Sequence, residues 1–416
     1  MRRSKHRVPT PSNPSPVRSY EIELLMRLAR ALHTYGSPAH ILEEALERVA
    51  EKLGQTAQFF ATPTSVFAAF GVGADQRLVL ERLSPGRLNL EKLSQLDELL
   101  DGLLLDRVSP GSAGSRLRAI VEAPRRYGEW ISTLAFGAAS GAAARFFGGS
   151  WWEMLAAGTV GLVLGAMAVL ADRHPTTGRL YDFGAAASAS ALAACGAIFT
   201  GQVSFFVVVL AGLIVLLPGL TLTVAMRELA TGNLVSGSSR LAGTVVLFVT
   251  MAFGVALGNG AVEAVLGAVP TVLPAPMPWW SDPLALVISA LGLTVIFRAR
   301  PRDFPWLLLA GVLALYSGRE GARLFGPELG ALQAALVVGL ASNLFARLRH
   351  RPAGVMQLPG LLMLVPGSIG FRGMSMLVDR DTVGGIQSAF SMVLVATAIV
   401  TGLLLANALL PPKRTL

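Results

Sequence analysis

The strongest constraint on this chain is a block of ten apolar stretches between residues 129 and 410, whose two halves repeat at a constant offset of 148 positions. A Pro-Gly pair, three further glycines and an asparagine stay in register across about 48 positions, which unrelated hydrophobic regions rarely share. We therefore expect an internal duplication. The paired positions are Gly212, Leu213, Leu216, Pro218, Gly219, Met226, Leu229, Gly237, Gly254, Leu257 and Asn259, matching Gly360, Leu361, Leu364, Pro366, Gly367, Met374, Leu377, Gly385, Gly402, Leu405 and Asn407.

The composition indicates an integral membrane protein with a soluble domain in front of it. Of the 416 residues, 53% are hydrophobic and 15% are charged, whereas soluble domains carry about 25% charged residues. Residues 1–128 hold 18 Lys/Arg and 14 Asp/Glu, and the other 288 hold only 17 and 12. Much of the net positive charge lies in short loops beside apolar spans, where it governs orientation, so we expect no nucleic-acid partner.

The organisation predicted from these patterns has five segments. Residues 1–19 carry basic residues and four prolines without the apolar core of a signal peptide, so we expect a disordered tail. Residues 20–128 form a small cytoplasmic α+β domain, 129–268 a first five-helix membrane unit, 269–283 a linker and 284–416 a second five-helix membrane unit. The overall fold class is thus a mainly α membrane protein with a 5+5 inverted repeat.

Within the soluble domain, hydrophobic periodicity predicts each element. Apolar residues at helical spacing predict helices over 20–31, 38–53, 90–106 and 111–123, and aromatic, β-branched or alternating runs predict strands over 56–60, 65–70 and 77–83. Ser37 is positioned to cap the second helix, with Pro38 in its first turn.

No pattern in the soluble domain predicts catalysis, a metal or a cofactor. His40 and Glu44 are four residues apart and would share one helix face with His33 nearby, but no third strong ligand follows at metal spacing. We expect the histidines to stabilise the turn and the helix ends. The single cysteine, Cys195, lies in an apolar run and excludes disulfide frameworks. We expect the chain not to be an enzyme.

The charges between the apolar runs predict ten spans with both termini in the cytoplasm. About 20 residues cross a 30 Å hydrocarbon core, and the Arg298, Arg300 and Arg302 cluster separates two short runs. With the soluble domain inside, inner segments hold 16 Lys/Arg against five outside, a strong positive-inside bias. The predicted spans are roughly 130–148, 152–171, 180–199, 204–226, 239–262, 284–299, 304–318, 328–346, 354–377 and 384–410.

Five spans in each half invert the second half relative to the first. An odd number of spans makes the second copy enter the membrane from the opposite side. Inverted repeats suit alternating access, because the two halves can exchange conformations around one central site. The sequence therefore predicts a secondary transporter, with a channel and a membrane-anchored enzyme as the alternatives.

Two Pro-Gly pairs mark the predicted substrate site. Pro218-Gly219 falls inside the fourth span and Pro366-Gly367 inside the ninth. Proline removes a backbone donor, so a helix breaks there and its free N–H groups can bind a carboxylate. The alternative is that both pairs only kink or pack their helices. Residues beside the breaks, which we also assign to the site, are Thr221, Thr223, Ser368 and Arg372.

Three acidic residues near these spans are candidates for proton coupling. They are Asp182, Glu228 and Asp379. A carboxylate in a partly dry site can have its pKa raised towards neutrality. The alternative is that some of them lie at the membrane interface. Asn259 and Asn407 are expected to form hydrogen bonds between helices.

Several motifs resemble the threonine/serine exporter family. In the soluble domain the resemblance rests on residues 32–40, LHTYGSPAH, on residues 59–64, FFATPT, and on residues 89–93, NLEKL. In the membrane units it rests on Leu217-Pro218-Gly219, Arg227-Glu228-Leu229, Gly232, Ser236-Gly237 and Arg240-Leu241, then on Val365-Pro366-Gly367-Ser368 and Gly370. The second unit is a separate partner chain in some family members and is fused here.

The resemblance implies export of small hydroxylated amino acids, threonine and serine, driven by the proton motive force across the cell membrane. Some relatives are associated with dicarboxylate export instead, and Arg372 could serve either substrate. Expected partners are the substrate, protons and the lipid bilayer, with a homo-oligomer left open and no cofactor.

Overall fold

A computed structural model describes residues 19–84, 86–174, 178, 180–364, 367–378 and 381–412. These residues form two compact units. The first comprises the described residues up to Arg87 together with Gln95–Ala123, and the second comprises Leu88–Ser94 and the described residues from Pro124 onwards.

The first unit combines helices with a three-stranded antiparallel meander in the order β1-β2-β3. In register, Phe60 of β1 lies opposite Phe67 of β2, and Phe67 lies opposite Leu80 of β3. The predicted sheet near the N-terminus is confirmed. The elements are α1 Ser19–Thr34, α2 Ala39–Lys52, β1 Ala57–Thr62, β2 Ser65–Phe70, β3 Arg77–Arg82, α3 Leu90–Leu104 and α4 Pro110–Glu122, with the first turn of α3 assigned to the second unit.

Helices cover one face of this sheet and build the core. Leu28, Leu46 and Phe70 are fully buried there, because the apolar residues of α1 and α2 recur at helical spacing. The capping role predicted for Ser37 is wrong. Helix α2 starts at Ala39 with an extended Pro38 as its N-cap, and the buried hydroxyl of Ser37 has no hydrogen-bond partner among the described residues.

The second unit is helical and multi-pass. Six stretches are long and apolar enough to cross a membrane, namely Trp151–Arg173, Tyr181–Thr200, Leu234–Leu266, Pro327–Arg349, Gly354–Met376 and Thr382–Leu409. Its helices are α5 Glu129–Phe146, α6 Trp151–Arg173, α7 Tyr181–Thr200, α8 Phe205–Gly212, α9 Gly219–Ala230, α10 Leu234–Leu266, α11 Ser281–Ile296, α12 Phe304–Phe325, α13 Pro327–Arg349, α14 Gly354–Leu364, α15 Gly367–Val378 and α16 Thr382–Leu409.

One helix start recurs at the sequence offset. Helix α10 begins at residue 234 and α16 at residue 382, which are 148 positions apart. Equivalent glycines also make equivalent contacts. A Cβ on Gly254 would lie 2.6 Å from the carbonyl oxygen of Phe183 on α7, and one on Gly402 would lie 2.4 Å from that of Leu332 on α13.

The first helices of the two halves, α5 and α11, pack antiparallel. At one end, Arg145 Nη2 lies 3.0 Å from Asp282 Oδ1. In the middle, a Cβ on Gly292 would lie 3.0 Å from the carbonyl oxygen of Ala135. At the other end, the Tyr127 hydroxyl donates to the Ala299 carbonyl at 2.7 Å. Residue numbers thus rise along α5 as they fall along α11.

Candidate functional site

Helical structure is interrupted in the first half of the membrane domain. There α8 ends at Gly212 and α9 begins at Gly219, with Pro218 as its buried N-cap. The Pro218 carbonyl accepts a hydrogen bond from Leu222 N at 2.9 Å. In the second half, α14 is described up to Leu364 and α15 from Gly367; Pro366, and with it the break predicted there, lies outside the described residues.

The interruption in the first half borders a cavity of about 380 Å³, which we call the central cavity. Ile214 and Val215 reach it from this interruption, and Leu364 of α14 and Ser368 of α15 reach it from the second half. Most of the other lining side chains are apolar, so polar recognition would have to come from a few groups at its edge.

One such edge is a second space of about 270 Å³, the polar chamber. It shares Phe147, Ser368 and Ile369 with the central cavity, so the two spaces adjoin. The rest of its lining is Leu210, Arg372, Gln387, Ser388 and Ser391.

Arg372 is the cation of the polar chamber. Its guanidinium carbon lies 4.9 Å from the ring centroid of Phe206. Among the described residues it has no carboxylate within ion-pair distance. An arginine held on an aromatic face without an acidic partner can accept an anionic ligand group.

Of the other predicted binding residues, some line a cavity and others do not. Gly367 is buried at the start of α15, and Ser368 lines both spaces. Thr221 is exposed and lines neither space. Thr223 is buried and donates to the Gly219 carbonyl at 3.0 Å, so its hydroxyl is used inside α9.

The three predicted proton-coupling residues lie in different settings. Glu228 is fully buried in α9, and Glu228 Oε2 accepts hydrogen bonds from Ser236 Oγ and Arg240 Nε, both at 2.9 Å. Asp182 is partly buried in the first turn of α7 and lines neither space. Asp379 lies outside the described residues.

Sequence reasoning missed a further buried carboxylate, Glu153. Its side chain is fully buried and accepts hydrogen bonds from the backbone N–H groups of Ser150 at 2.8 Å and Ser204 at 2.9 Å. Ser150 and Ser204 are the N-caps of α6 and α8, so one carboxylate serves both helix starts. The Ser150-x-x-Glu153 capping box was the available signal, whereas the contact with Ser204 was not visible in the sequence.

Ion pairs join the ends of neighbouring helices at two places in the second unit. Asp282, at the start of α11, pairs with Arg145 at 3.0 Å and with Arg319 at 2.6 Å. At the ends predicted to face the cytoplasm, Arg351 Nη2 donates to Asp303 Oδ2 at 2.9 Å, and Asp303 is fully buried.

A second charged cluster surrounds Glu91, outside the predicted spans. Arg126 Nε donates to Glu91 Oε2 at 2.7 Å, and Leu90 N donates to the Phe297 carbonyl at 2.9 Å. The hydrogen bond from Arg126 lowers the pKa of Glu91, although burial acts in the opposite direction. Burial lowers the pKa of the neighbouring Lys92, and the charge of Arg298 lowers it further.

All six tryptophans lie at helix ends. Trp130 is in the first turn of α5 and Trp306 in that of α12, whereas the other four are at residues 151, 152, 279 and 280, at the starts of α6 and α11. Trp151 and Trp280 are in contact, with ring centroids 5.6 Å apart. Such positions are typical of the two membrane interfaces.

Two family models match the chain. One, described as a threonine/serine exporter and called ThrE, matches residues 23–261, and the other, described as "Threonine/Serine exporter, ThrE", matches residues 282–409. These matches confirm the resemblance predicted from the motifs.

Curated relatives are fungal proteins named "Pheromone-regulated membrane protein 10". The one from Eremothecium gossypii is 27% identical over 384 residues, which cover 89% of this chain and 50% of that protein. The one from Saccharomyces cerevisiae is 24% identical over 381 residues, covering 89% and 48%. The one from Yarrowia lipolytica is 27% identical over 370 residues, covering 84% and 30%. The chain thus spans half or less of these relatives' length, and no solved structure matches it.

Proposed function

Because the chain belongs to the threonine/serine exporter family, we propose that it is a secondary active exporter of threonine and serine, driven by the proton motive force. The observation that carries this proposal is that the interrupted helix of the first half lines the same central cavity as α14 and α15 of the second half. Discontinuous helices at a site between two repeats are the usual construction of substrate sites in transporters, and we propose that the second half is likewise broken at Pro366.

The proposed membrane domain has ten spans arranged as a 5+5 inverted repeat. In this scheme α8 and α9 together form the fourth span, and α14 and α15 together form the ninth. The antiparallel packing of α5 against α11 supports the inversion, because these helices are the first in each half. Contacts of α9 with α16 and of α15 with α10 support an exchange-symmetric arrangement of the halves.

We propose that both termini face the cytoplasm of the cell membrane. The positive-inside bias carries this orientation. Contacts between helix ends support the ten-span scheme in either orientation: Arg145–Asp282 and Arg351–Asp303 each join ends that the scheme assigns to one side. The Trp151–Trp280 contact likewise joins two ends on the proposed external side.

In the proposed alternating-access cycle, the described conformation faces outwards. Phe147, Ala322 and Pro327, which border the central cavity, belong to ends assigned to the exterior. At the cytoplasmic ends, Phe297, Phe345 and Met356 belong to one buried apolar cluster, and Arg351 pairs with Asp303 nearby. Export would require these inner contacts to open and the outer Arg145–Asp282–Arg319 contacts to rearrange.

Proton coupling is proposed at Glu228, with Asp182 and Asp379 as the other candidates. Protonation of Glu228 would remove the charge that Arg240 pairs with, and would therefore weaken the contact between α9 and α10. Because α9 starts at the interruption that borders the central cavity, a weaker contact between α9 and α10 would alter the proposed substrate site.

Transport by purified protein in proteoliposomes tests the function. We expect threonine to move uphill when a pH gradient or potential is imposed, and to stop when an ionophore collapses it. A potential of 100 mV supplies about 2.3 kcal/mol per charge, enough for roughly fifty-fold accumulation. Flux that only ever runs downhill would indicate a channel. Transport of succinate but not of threonine would indicate the dicarboxylate alternative, and a hydrolytic activity lost on deleting residues 1–128 would indicate the enzyme.

A further inference from the structure

We propose that Arg372 of α15 and the polar face of α16 form a subsite for one carboxylate and one hydroxyl group, and that this polar chamber sets substrate selectivity. The inference rests on the proposed export function and deepens it. It adds Gln387, Ser388 and Ser391, which motifs and charge did not single out, and it assigns a separate task to each end of the substrate.

The group proposed to bind the substrate carboxylate is the guanidinium of Arg372. The residue lies five positions after Gly367, where α15 begins, so it lies within the ninth span of the ten-span scheme. Cations at such depth are costly unless compensated, yet among the described residues no carboxylate approaches Arg372. The Phe206 ring holds its guanidinium by a cation–π contact, which leaves the hydrogen-bonding edges for a bidentate carboxylate.

The groups proposed to bind the substrate hydroxyl are polar side chains of α16. Gln387, Ser388 and Ser391 lie on one face of this helix because residues three and four apart are neighbours, and all three line the polar chamber. The Gln387 amide and the Ser391 hydroxyl make no hydrogen bond within the described part of the chain. Within the described residues, the hydrogen-bond partner of Ser388 Oγ is the weak acceptor Met376 Sδ at 3.6 Å. A substrate hydroxyl can both donate to and accept from such groups.

Charge favours an amino acid over a dicarboxylate, whereas size does not separate the two. A chamber of about 270 Å³ holds about nine water molecules at about 30 Å³ each, so the roughly eight non-hydrogen atoms of threonine or of succinate can fit. Arg372 is the single basic residue among the described groups that line it. A second carboxylate would meet Phe147, Leu210 and Ile369 without a compensating charge.

The first half of the chain does not repeat this set of side chains. At the offset of 148, the counterparts of Arg372, Gln387, Ser388 and Ser391 are Val224, Ser239, Arg240 and Gly243. Arg240 is paired with Glu228. The proposed recognition groups therefore belong to the second half.

Ligand binding to the purified full-length protein tests the proposal, with serine and alanine compared by calorimetry. Serine and alanine differ by one hydroxyl group. We expect the wild type to prefer serine, because a site built to bind a hydroxyl rejects the analogue that lacks it. Ser391→Ala and Gln387→Met should each reduce this preference about tenfold, the value of one net hydrogen bond, mainly by weakening serine. Arg372→Gln should weaken both amino acids at least thirty-fold, with partial recovery in Arg372→Lys.

The controls are Thr397→Val and Arg323→Gln. Thr397 is on α16 but donates to the Val393 carbonyl of its own helix, and Arg323 is an exposed external arginine; both variants should bind as the wild type. Unchanged serine preference in both α16 variants would overturn the hydroxyl assignment, and unchanged affinity in Arg372→Gln would overturn the carboxylate assignment.

Failure of this inference and failure of the proposed function are distinguishable. Wild-type protein that transports threonine while its variants keep full discrimination refutes only the polar chamber. Wild-type protein that neither binds nor transports any amino acid refutes the proposed function. Succinate that binds more tightly than serine and is lost in Arg372→Gln would overturn the choice of an amino acid. If Arg372→Gln fails to fold, the two α16 variants still decide the hydroxyl assignment.

Discussion

The α9–α10 and α15–α16 hairpins occupy equivalent places in the two halves of the sequence, but their charged residues are paired differently. In the first hairpin, Glu228 is buried and paired with Arg240. The corresponding residues of the second hairpin, 148 positions later, are Met376 and Ser388, joined by a weak sulfur contact. The second hairpin instead carries Arg372, without an acidic partner among the described residues. The charges of the first hairpin thus form an ion pair that stabilises it, whereas the charge of Arg372 in the second hairpin faces a cavity.

The largest expected effect is the loss of the buried carboxylate. Glu228→Gln leaves Arg240 without its ionic partner, and breaking a buried pair in this way costs about 3 kcal/mol or more. The double variant Glu228→Met with Arg240→Ser, which copies the second hairpin, should recover most of that loss because no charge is left unpaired. Chemical unfolding in detergent measures both. A double variant no more stable than Glu228→Gln would contradict the ionic role.

The next effect concerns a feature that the halves share. Gly254→Ala and Gly402→Ala each place a Cβ under 3 Å from a backbone carbonyl oxygen of the neighbouring helix, and such overpacking typically costs about 1 to 3 kcal/mol. Gly243→Ala is the matched control, because a Cβ there meets no atom within 4 Å. Thermal unfolding should show similar losses for the first two variants and none for the control. A loss of thermal stability in only one of the two variants would contradict the structural equivalence of the two halves.

A smaller effect, on transport, is expected at the Pro-Gly pair of the second half. Pro366→Ala or Asp379→Asn should slow threonine efflux about tenfold, equivalent to about 1.4 kcal/mol in the barrier, while expression stays intact. The motivation is the sequence pattern, in which Pro366-Gly367 repeats Pro218-Gly219 at the offset of 148 and an acidic residue follows. Initial efflux rates at several pH values measure it. Unaltered kinetics in both variants would remove this segment from the transport site.

The smallest effect contrasts a surface ion pair with the buried one. Arg126 lowers the pKa of Glu91, so the folded state favours the ionised carboxylate. The resulting stability is fully present above the usual carboxyl pKa of 4.5 and is lost as the pH falls through the lower pKa of the folded state. Arg126 is 45% exposed, so we expect less than about 1 kcal/mol. The stabilities of the wild type and Glu91→Gln should therefore differ at neutral pH and converge as the pH falls below the folded-state pKa of Glu91.

Local signals in the sequence predicted local structure well. The three strands and the helices of the first unit follow from hydrophobic periodicity, and the Pro218-Gly219 pair predicted the end of helical structure before Gly219. Asn407 also makes its expected interhelical bond, accepting from Asn343 Nδ2 at 2.8 Å. The same expectation for Asn259 is wrong in part, because its buried Oδ1 has no partner among the described residues.

Contacts that depend on which helix faces meet were not predictable. Glu153 accepts a hydrogen bond from the backbone N–H of Ser204, 51 positions away. Gln387 and Ser391 become candidate site residues because α16 places them in the same cavity lining as Arg372. Polar residues in apolar helices look alike in sequence, whether they are bonded within their own helix, as Thr223 is, or line a cavity, as Ser368 does. Packing alone separates the two cases.

Inversion of the two halves is tested most directly by labelling equivalent positions from one side of the membrane. Leu234 and Thr382 are exposed first residues of α10 and α16, 148 positions apart. In a Cys195→Ala background, single cysteines at these positions would be treated with a membrane-impermeant thiol reagent. Inverted halves predict that Thr382→Cys reacts in intact cells and that Leu234→Cys reacts only after permeabilisation. Reaction of both from the same side would mean that the halves run in the same direction.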